Sequence, residues 1–494
     1  MPAFARPAAI RRAAALAAVA SFAALATAGA QSPRPSVAPG PARLTAFQQL
    51  ARSVYRELVE TNTVDSVGSA TKAAEAMAAR FRAAGFPAGD VQLLVPSGKP
   101  TKGNLVVRYR GRGGAGAPRP LLLLAHLDVV AANRADWPRD PFVLHEEGGY
   151  FLGRGTSDDK AMASMFVASL LEMKRQGIVP DRDLILALTA DEEGGESNGV
   201  EYLVAHHRAR IDAAYALNEG GGGTLDANTP LFHSVQAAEK VPVNFTLAAV
   251  NPGGHSSVPR PDNAIYQLSS ALVKLASFQF PVALNEVTRP FFANTARVEP
   301  RPAMAAAMRQ LVADPANAAA AATLSADPRY ASMLRTSCVA TRLSGGHAYN
   351  ALPQSATANV NCRIVPTSTL EEVRATIARV VGDTGIHITM TVPSRERFGV
   401  APSPVEPELL AATRQLTTRM WGDIPVIPTM STGATDGRFL RAAGIPTYGV
   451  SGIFSEPGEN NAHGRDEKLR VKSYYDGLAF LDALVRQLAT RPRA

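Results

Sequence analysis

Cysteine is scarce in this chain of 494 residues, which holds only Cys338 and Cys362. One disulfide is the most it can form, and no cluster of thiolate metal ligands is available. Beyond the first dozen residues there is no run of basic side chains interleaved with aromatics, so nucleic acid is not an expected partner. Aromatic residues are few at 6%, while 46% apolar and 19% charged residues match an ordinary soluble globular protein. The length suffices for two or three domains and a large buried core.

The N-terminus departs from that composition. Arg6, Arg11 and Arg12 precede an Ala/Leu/Val/Phe run ending at Ala28-Gly29-Ala30, the pattern of a secretory signal peptide over residues 1–30. An uncleaved membrane anchor is the alternative, but the run is short and Ala-rich and Gln31-Ser32-Pro33 follows at once. Cleavage would leave no stable membrane span and would deliver a periplasmic or secreted protein. The three leader arginines account for three of the eight formal positive charges, leaving +5. In an oxidising compartment Cys338 and Cys362 can bridge; two inert buried thiols are the other reading. A Pro-rich stretch, 31–41, reads as a linker.

From residue 42 to 240 strands and helices alternate, which predicts a mostly parallel α/β sheet flanked by helices. Asn104–Tyr109, Pro120–Ala125, Asp183–Thr189 and Ala213–Leu217 read as strands. Met162, Met165, Phe166, Ser169, Leu170 and Met173 recur at helical spacing until Gly177 stops them. The pattern then changes over 241–394. Val241–Val250, Asn263–Ser277, Ser337–Leu343, Ala356–Val365, Leu370–Val381 and Ile386–Val392 give the order β-α-β-β-α-β, predicting an inserted two-layer α+β domain. A stretch rich in Ala, Arg and Pro, Pro281 to Arg335, interrupts it as a helical excursion. If the middle strands pair as a hairpin centred near Asn350, Cys338 and Cys362 fall opposite one another. The α/β pattern returns over 395–494, with strands at Pro425–Met430 and Pro446–Val450, so the first domain is discontinuous.

Five segments of the α/β parts carry metal-type ligands: His126 in AHLD, Asp158 in GRGTSDDK, Glu193 in TADEEGG, Glu219 in LNEGG and His463 in NNAHGRDE. Four of them follow strand-like runs. Spacings of 32 and 35 residues separate His126, Asp158 and Glu193, and a strand-helix-strand unit takes about 30, so each returns to one edge of the sheet. Ligands of open α/β sheets bind there, outside the carboxyl ends of the strands. Imidazole and carboxylate without thiolate suit zinc, with cobalt or manganese as substitutes. Asp158 is the candidate bridge between two ions, and Asp128 is placed to hold the free N–H of His126. Glu192, next to a ligand, is the candidate proton acceptor. Any one of these residues alone reads as a helix cap or a solvated loop.

Taken together, AHLDVV, GRGTSDDK, TADEEGG and GGHSS resemble the aminoacylase/carboxypeptidase family of co-catalytic zinc metallopeptidases, peptidase family M20, from roughly Phe47 to Leu488. The resemblance implies one zinc on His126, Asp158 and Glu219, a second on Asp158, Glu193 and His463, and Glu192 as catalytic base. It also implies a cis peptide after Asp158 and a lid domain that often mediates dimerisation. His255 matches a histidine that reaches a partner's site in dimeric members; a turn histidine is the plain alternative. Asn350 and Arg363 match substrate-binding lid positions, with Arg363 suited to gripping a carboxylate, although it also fits a structural strand-end cation. The turn from Gly433 through Thr435 to Asp436 matches a family loop that lines the substrate pocket, and a plain Gly-rich turn fits it too. The implied activity is cleavage of the amide next to a C-terminal amino acid, with an N-acyl-amino-acid deacylase as alternative and a silent binding protein as a distant third. The long excursion departs from compact lids, resembles the carboxypeptidase S-like branch, and puts dimerisation through the lid in question.

Overall fold

The strand Leu121–His126 is buried along its whole length, as its unbroken Leu-Leu-Leu-Leu-Ala run requires. A strand covered on both faces belongs inside a parallel sheet. In this computed structural model, which describes residues 43–113, 116–391 and 400–490, it pairs in parallel with Leu184–Thr189 on one side and Tyr215–Asn218 on the other. Thr447–Gly449 extends the parallel run. Antiparallel strands Asn104–Tyr109 and Val91–Leu94 finish one side, and Thr229–Glu239 and Gly222–Asp226 continue the other, within one ten-stranded sheet. The leader and linker expected over 1–41 lie outside the described residues.

Helices close the faces. Lys160–Arg175 is buried almost all round, its Met, Phe, Val and Leu side chains packing between Ala46–Glu60, Val471–Ala489 and the sheet. Its fully buried Leu170 contributes about 1.5–3 kcal/mol relative to exposure. Among the described residues no helix is long and apolar enough to cross a membrane.

A second, four-stranded antiparallel sheet runs in the order Ser337–Gly345, Ser355–Ile364, Val241–Val250, Ile386–Thr391. Helices Ala264–Ser277 and Leu370–Val381 pack with it around a separate apolar core that includes Phe245, Leu268, Val360 and Ile377. Leu370–Val381 starts on a capping box between Thr369 and Glu372 and ends at Gly382 in the left-handed conformation. The elements follow the order read from the sequence. Cys338 and Cys362 are register partners and are joined by a disulfide, with Cα atoms 4.0 Å apart.

The excursion is helical, comprising Thr288–Thr295, Pro302–Ala313, Ala318–Ser325 and Pro328–Leu334. Its core of Phe291, Phe292, Met308, Leu311 and Leu324 includes Phe232 and Ile427, so it packs on the large sheet. The sequence reading gave no strands between Glu219 and Val241. Two are present, turned at Ala227-Asn228, both at positive φ. Their signal is obscured by the glycines from 220 to 223, and Lys240 alone separates the second from the first strand of the smaller sheet.

Candidate metal centre

His126 ends its strand and points from the carboxyl edge of the sheet; Glu219 directly follows the next strand, Tyr215–Asn218. Asp158 stands two residues before the helix Lys160–Arg175, across a cis peptide to Asp159. Glu192 and Glu193 lie in the loop after Leu184–Thr189. His463 sits at positive φ in the turn before Lys468–Arg470. Five distant segments thereby meet.

Asp158 is the hub. Its Oδ1 lies 3.0 Å from His126 Nε2 and its Oδ2 3.2 Å from His463 Nε2. His126 Nε2 is 3.9 Å from Glu219 Oε2, and His463 Nε2 is 2.9 Å from Glu193 Oε2. Ligand atoms of His126, Asp158 and Glu193 lie within 4.8 Å of one another, as do those of His126, Glu192 and Glu219.

Asp128 does two jobs, one of them unexpected. Its backbone carbonyl accepts from His126 Nδ1 at 3.0 Å, while its carboxylate Oδ1 stands 3.6 Å from that nitrogen. The carboxylate instead accepts the backbone N–H groups of Glu192 and Glu193 at 3.1 and 2.9 Å. The imidazole is thus oriented by the main chain, and Asp128 fixes the turn bearing both glutamates. Asp191, at φ +57 and bonded by Lys102 and the Ser197 N–H, holds the other side of that turn.

The charges explain what the cluster needs. Burial pushes Glu192 well above the usual carboxylate range, aided by Asp436, Glu193 and Asp128. Burial raises Glu219 likewise, with Asp158 and Glu192 adding to it, and raises Asp159, beside Asp158 and Glu193. For Asp158 burial works in the same direction but is outweighed by hydrogen bonds from His126 and His463, which hold it low. Burial disfavours charge on His126, yet its bonds to Asp128 and Asp158 carry it well above its ordinary value. His463 is pushed up to about 10 by Asp158 and Glu193. Asp159 Oδ2 is buried without a hydrogen-bond partner among the described residues. Crowded acids, two imidazoles and an orphaned carboxylate oxygen are a donor set that divalent cations satisfy.

The substrate candidates sit differently. Thr435 is buried and gives both its N–H and its hydroxyl to Glu239 Oε2, at 2.7 and 2.8 Å, so its side chain is committed to the protein. Gly433 is exposed, its N–H donating to Ser431 Oγ at 3.1 Å. Arg363 is half-buried near the end of the strand Ser355–Ile364. Burial and the Arg438 charge both disfavour its cation, and no ion pair holds it among the described residues. His255 and Asn350 are exposed on the smaller domain. His255 Nδ1 pairs with Ser257 Oγ at 2.7 Å and Asn350 O accepts from Ser256, so these bonds remain within that loop pair.

Glu467 carries no role in the sequence pattern, Asp159 enters it only through the cis peptide after Asp158, and Asp436 only as the end of the Gly433–Asp436 turn. Asp436 accepts from Asn198 Nδ2 and Thr189 Oγ1, and burial pushes it up to about 6. Asp436 and Glu467 act through residues more than 230 positions away; for Glu467 the NNAHGRDE motif is the one local signal.

An α/β sheet presenting this imidazole and carboxylate cluster beside an inserted antiparallel domain defines a metallo-amidohydrolase. The model of peptidase family M20/M25/M40 matches residues 122–487, and the chain belongs to that family. It is 26% identical over 380 residues to human "N-fatty-acyl-amino acid synthase/hydrolase PM20D1", covering 75% of this chain and 74% of that protein. To "Probable carboxypeptidase S-like 2" of Dictyostelium discoideum it is 27% identical over 396 residues, 78% of this chain and 74% of that one. An M20 family metallo-carboxypeptidase from Sulfolobus solfataricus shares the fold, with a TM-score of 0.65 at 18% identity over 88% of this chain and 98% of that chain.

Proposed function

We propose that this chain is an exported two-zinc hydrolase that cleaves the amide bond next to a C-terminal amino acid, as a carboxypeptidase or dipeptidase. One zinc would be held by His126, Asp158 and Glu219, the other by Asp158, Glu193 and His463, with cobalt or manganese as substitutes. The observation that carries the reading is Asp158 offering one oxygen to each histidine.

When bound, the two cations supply positive charge that makes a water more acidic and polarises an amide carbonyl. The chain does the rest. Glu192, whose basicity is raised by burial and by neighbouring carboxylates, takes a proton from the attacking water and returns it to the leaving nitrogen. Asp128 fixes Glu192 through its backbone N–H. Arg363, which has no ion-pair partner among the described residues, grips the free carboxylate of the substrate, with Asn350 and the Gly433–Thr435 loop bordering it.

Residues 241–394 form the lid in this reading, and Lys240 the crossing point. His255 stabilises the oxyanion across a homodimer. Exposed Val339 and Leu343 on the lid's edge strand, and Tyr266 and Val273 on the neighbouring helix, support such a contact. Export rests on the leader pattern at 1–30.

A second reading, an N-acyl-amino-acid deacylase, is favoured by the likeness to the human N-fatty-acyl-amino acid synthase/hydrolase. The chemistry at the centre is the same for both. Dipeptides and N-acyl amino acids, assayed side by side with zinc-loaded protein, decide between them: a kcat/KM higher by tenfold or more for the N-acyl series replaces the first reading by the second. No hydrolysis of either would sink both.

A further inference from the structure

The two halves of the metal centre come from loops that lie far apart in the chain, and a single buried carboxylate ties these loops together. Glu467 is 1% exposed. Its Oε1 accepts the backbone N–H groups of Ser157 and Asp158, at 2.7 and 3.0 Å. Its Oε2 accepts the N–H of Gly155 at 3.0 Å and Nη1 of Arg154 at 2.8 Å. The carbonyl of Glu467 takes the Gly153 N–H and the Thr156 hydroxyl, at 3.1 and 3.2 Å. Arg154 completes the tie by donating Nη2 to the carbonyl of Gly464, the residue after His463, at 2.9 Å. Its guanidinium lies 5.2 Å over the Trp137 ring.

The loop is shaped for this contact. Gly155 has φ +81, and a Cβ there would meet Val129 and the Lys160 stem at 2.8 and 2.9 Å. His463, by contrast, has little of its own to hold it: it sits in a left-handed turn, its side chain is 56% exposed, and among the described residues its ring makes ion pairs with Asp158 and Glu193 alone. Where the ring stands relative to Asp158 is therefore set by the tie beneath it.

We propose that Glu467 is a positioning residue that fixes the spacing between Asp158 and His463, and with it the affinity of the metal site those two residues share with Glu193. This rests on the two-metal reading. A charged acceptor is required because both oxygens are used, and an amide would turn an NH2 group toward two N–H donors and leave the buried Arg154 uncompensated.

The test compares Glu467→Gln, Arg154→Lys and His463→Ala with the unaltered protein. Zinc dissociation constants are measured by competition with a chromophoric chelator, and folding by circular dichroism and melting temperature. The unaltered chain is expected to bind two zincs; folded Glu467→Gln keeps one at parental affinity and binds the other about 10–100-fold more weakly, the scale of lost orienting contacts. His463→Ala loses the same one. A purely structural carboxylate would lower the melting temperature and leave both constants of the folded variant unchanged within about twofold, which overturns the inference. If Glu467→Gln does not fold, Arg154→Lys, which keeps the charge but breaks the bond to Gly464, decides by the same criterion. Fewer than two zincs on the unaltered protein overturns the two-metal reading itself, and the inference with it.

Discussion

Asp158 stands between two histidines, 3.0 Å from His126 and 3.2 Å from His463, although 305 residues separate it from the second. Each imidazole meets a different oxygen of one carboxylate. A hydrogen-bonded structural aspartate has no need of that symmetry, whereas a carboxylate shared by two cations requires it. The glutamates divide in the same way, Glu219 near His126 and Glu193 near His463.

Replacing Glu192 by Gln removes the proposed proton acceptor and leaves the proposed metal ligands in place. Turnover falls by about 10²–10⁴, while metal content and melting temperature stay close to those of the parent. Steady-state kinetics with metal analysis on one sample checks this. Undiminished turnover would reassign the base.

Arg363→Met acts on recognition. KM for a substrate with a free C-terminal carboxylate rises by about 10–100-fold, the cost of a charge-assisted bidentate pair, with a smaller change in kcat. The same substrate amidated at its C-terminus is handled alike by both proteins. Equal losses on both substrates would make Arg363 structural.

His233 gives a pH signature to stability. It is fully buried, with Nδ1 2.8 Å from the Thr417 hydroxyl, and burial lowers it from 6.5 to about 4. The folded state therefore prefers neutral imidazole. Its contribution is complete above about pH 6.5, and declines as pH falls toward 4 because the unfolded chain takes up the proton first. The loss amounts to about 3 kcal/mol over that window. Urea unfolding at pH 7 and pH 4.5 shows a larger decrease for the parent than for His233→Gln; parallel decreases would contradict it.

Cys338 and Cys362 close a loop with a sequence separation of 24. Converting both, to Ser and Ala respectively, destabilises the chain by about 3 kcal/mol, the loop-entropy value for that length. Chemical unfolding of the oxidised parent and the double variant measures it. No difference would show that the bridge adds nothing to stability.

Much of the candidate site was legible because most of its proposed ligands occupy positions that local pattern marks; His463, in a turn, is the exception. His126 and Glu219 terminate apolar runs, Asp158 precedes a helix whose Met and Leu spacing is plain, and the intervals match strand-helix-strand units. The elements of the smaller domain were equally clear: Val241–Val250 and Leu370–Val381 coincide with their strand and helix. What escaped has a common cause. Glu467 acts by accepting from residues more than 300 positions earlier, and the expected carboxylate contact of Asp128 was taken over by its own carbonyl once the Glu192-Glu193 turn claimed the side chain. Neither choice leaves a periodicity or a spacing. The strands after Glu219 were hidden by glycines whose backbone approaches Gln236 and Gly449 closely.

The metal-to-protein ratio, measured by elemental analysis on the purified chain and on Asp158→Asn, addresses the account most directly. It predicts two zincs per parent chain, and weakened binding of both in the variant, because neutralising the shared carboxylate removes one ligand from each ion. A parent that binds a single ion, or a variant that still retains two at parental affinity, would contradict it.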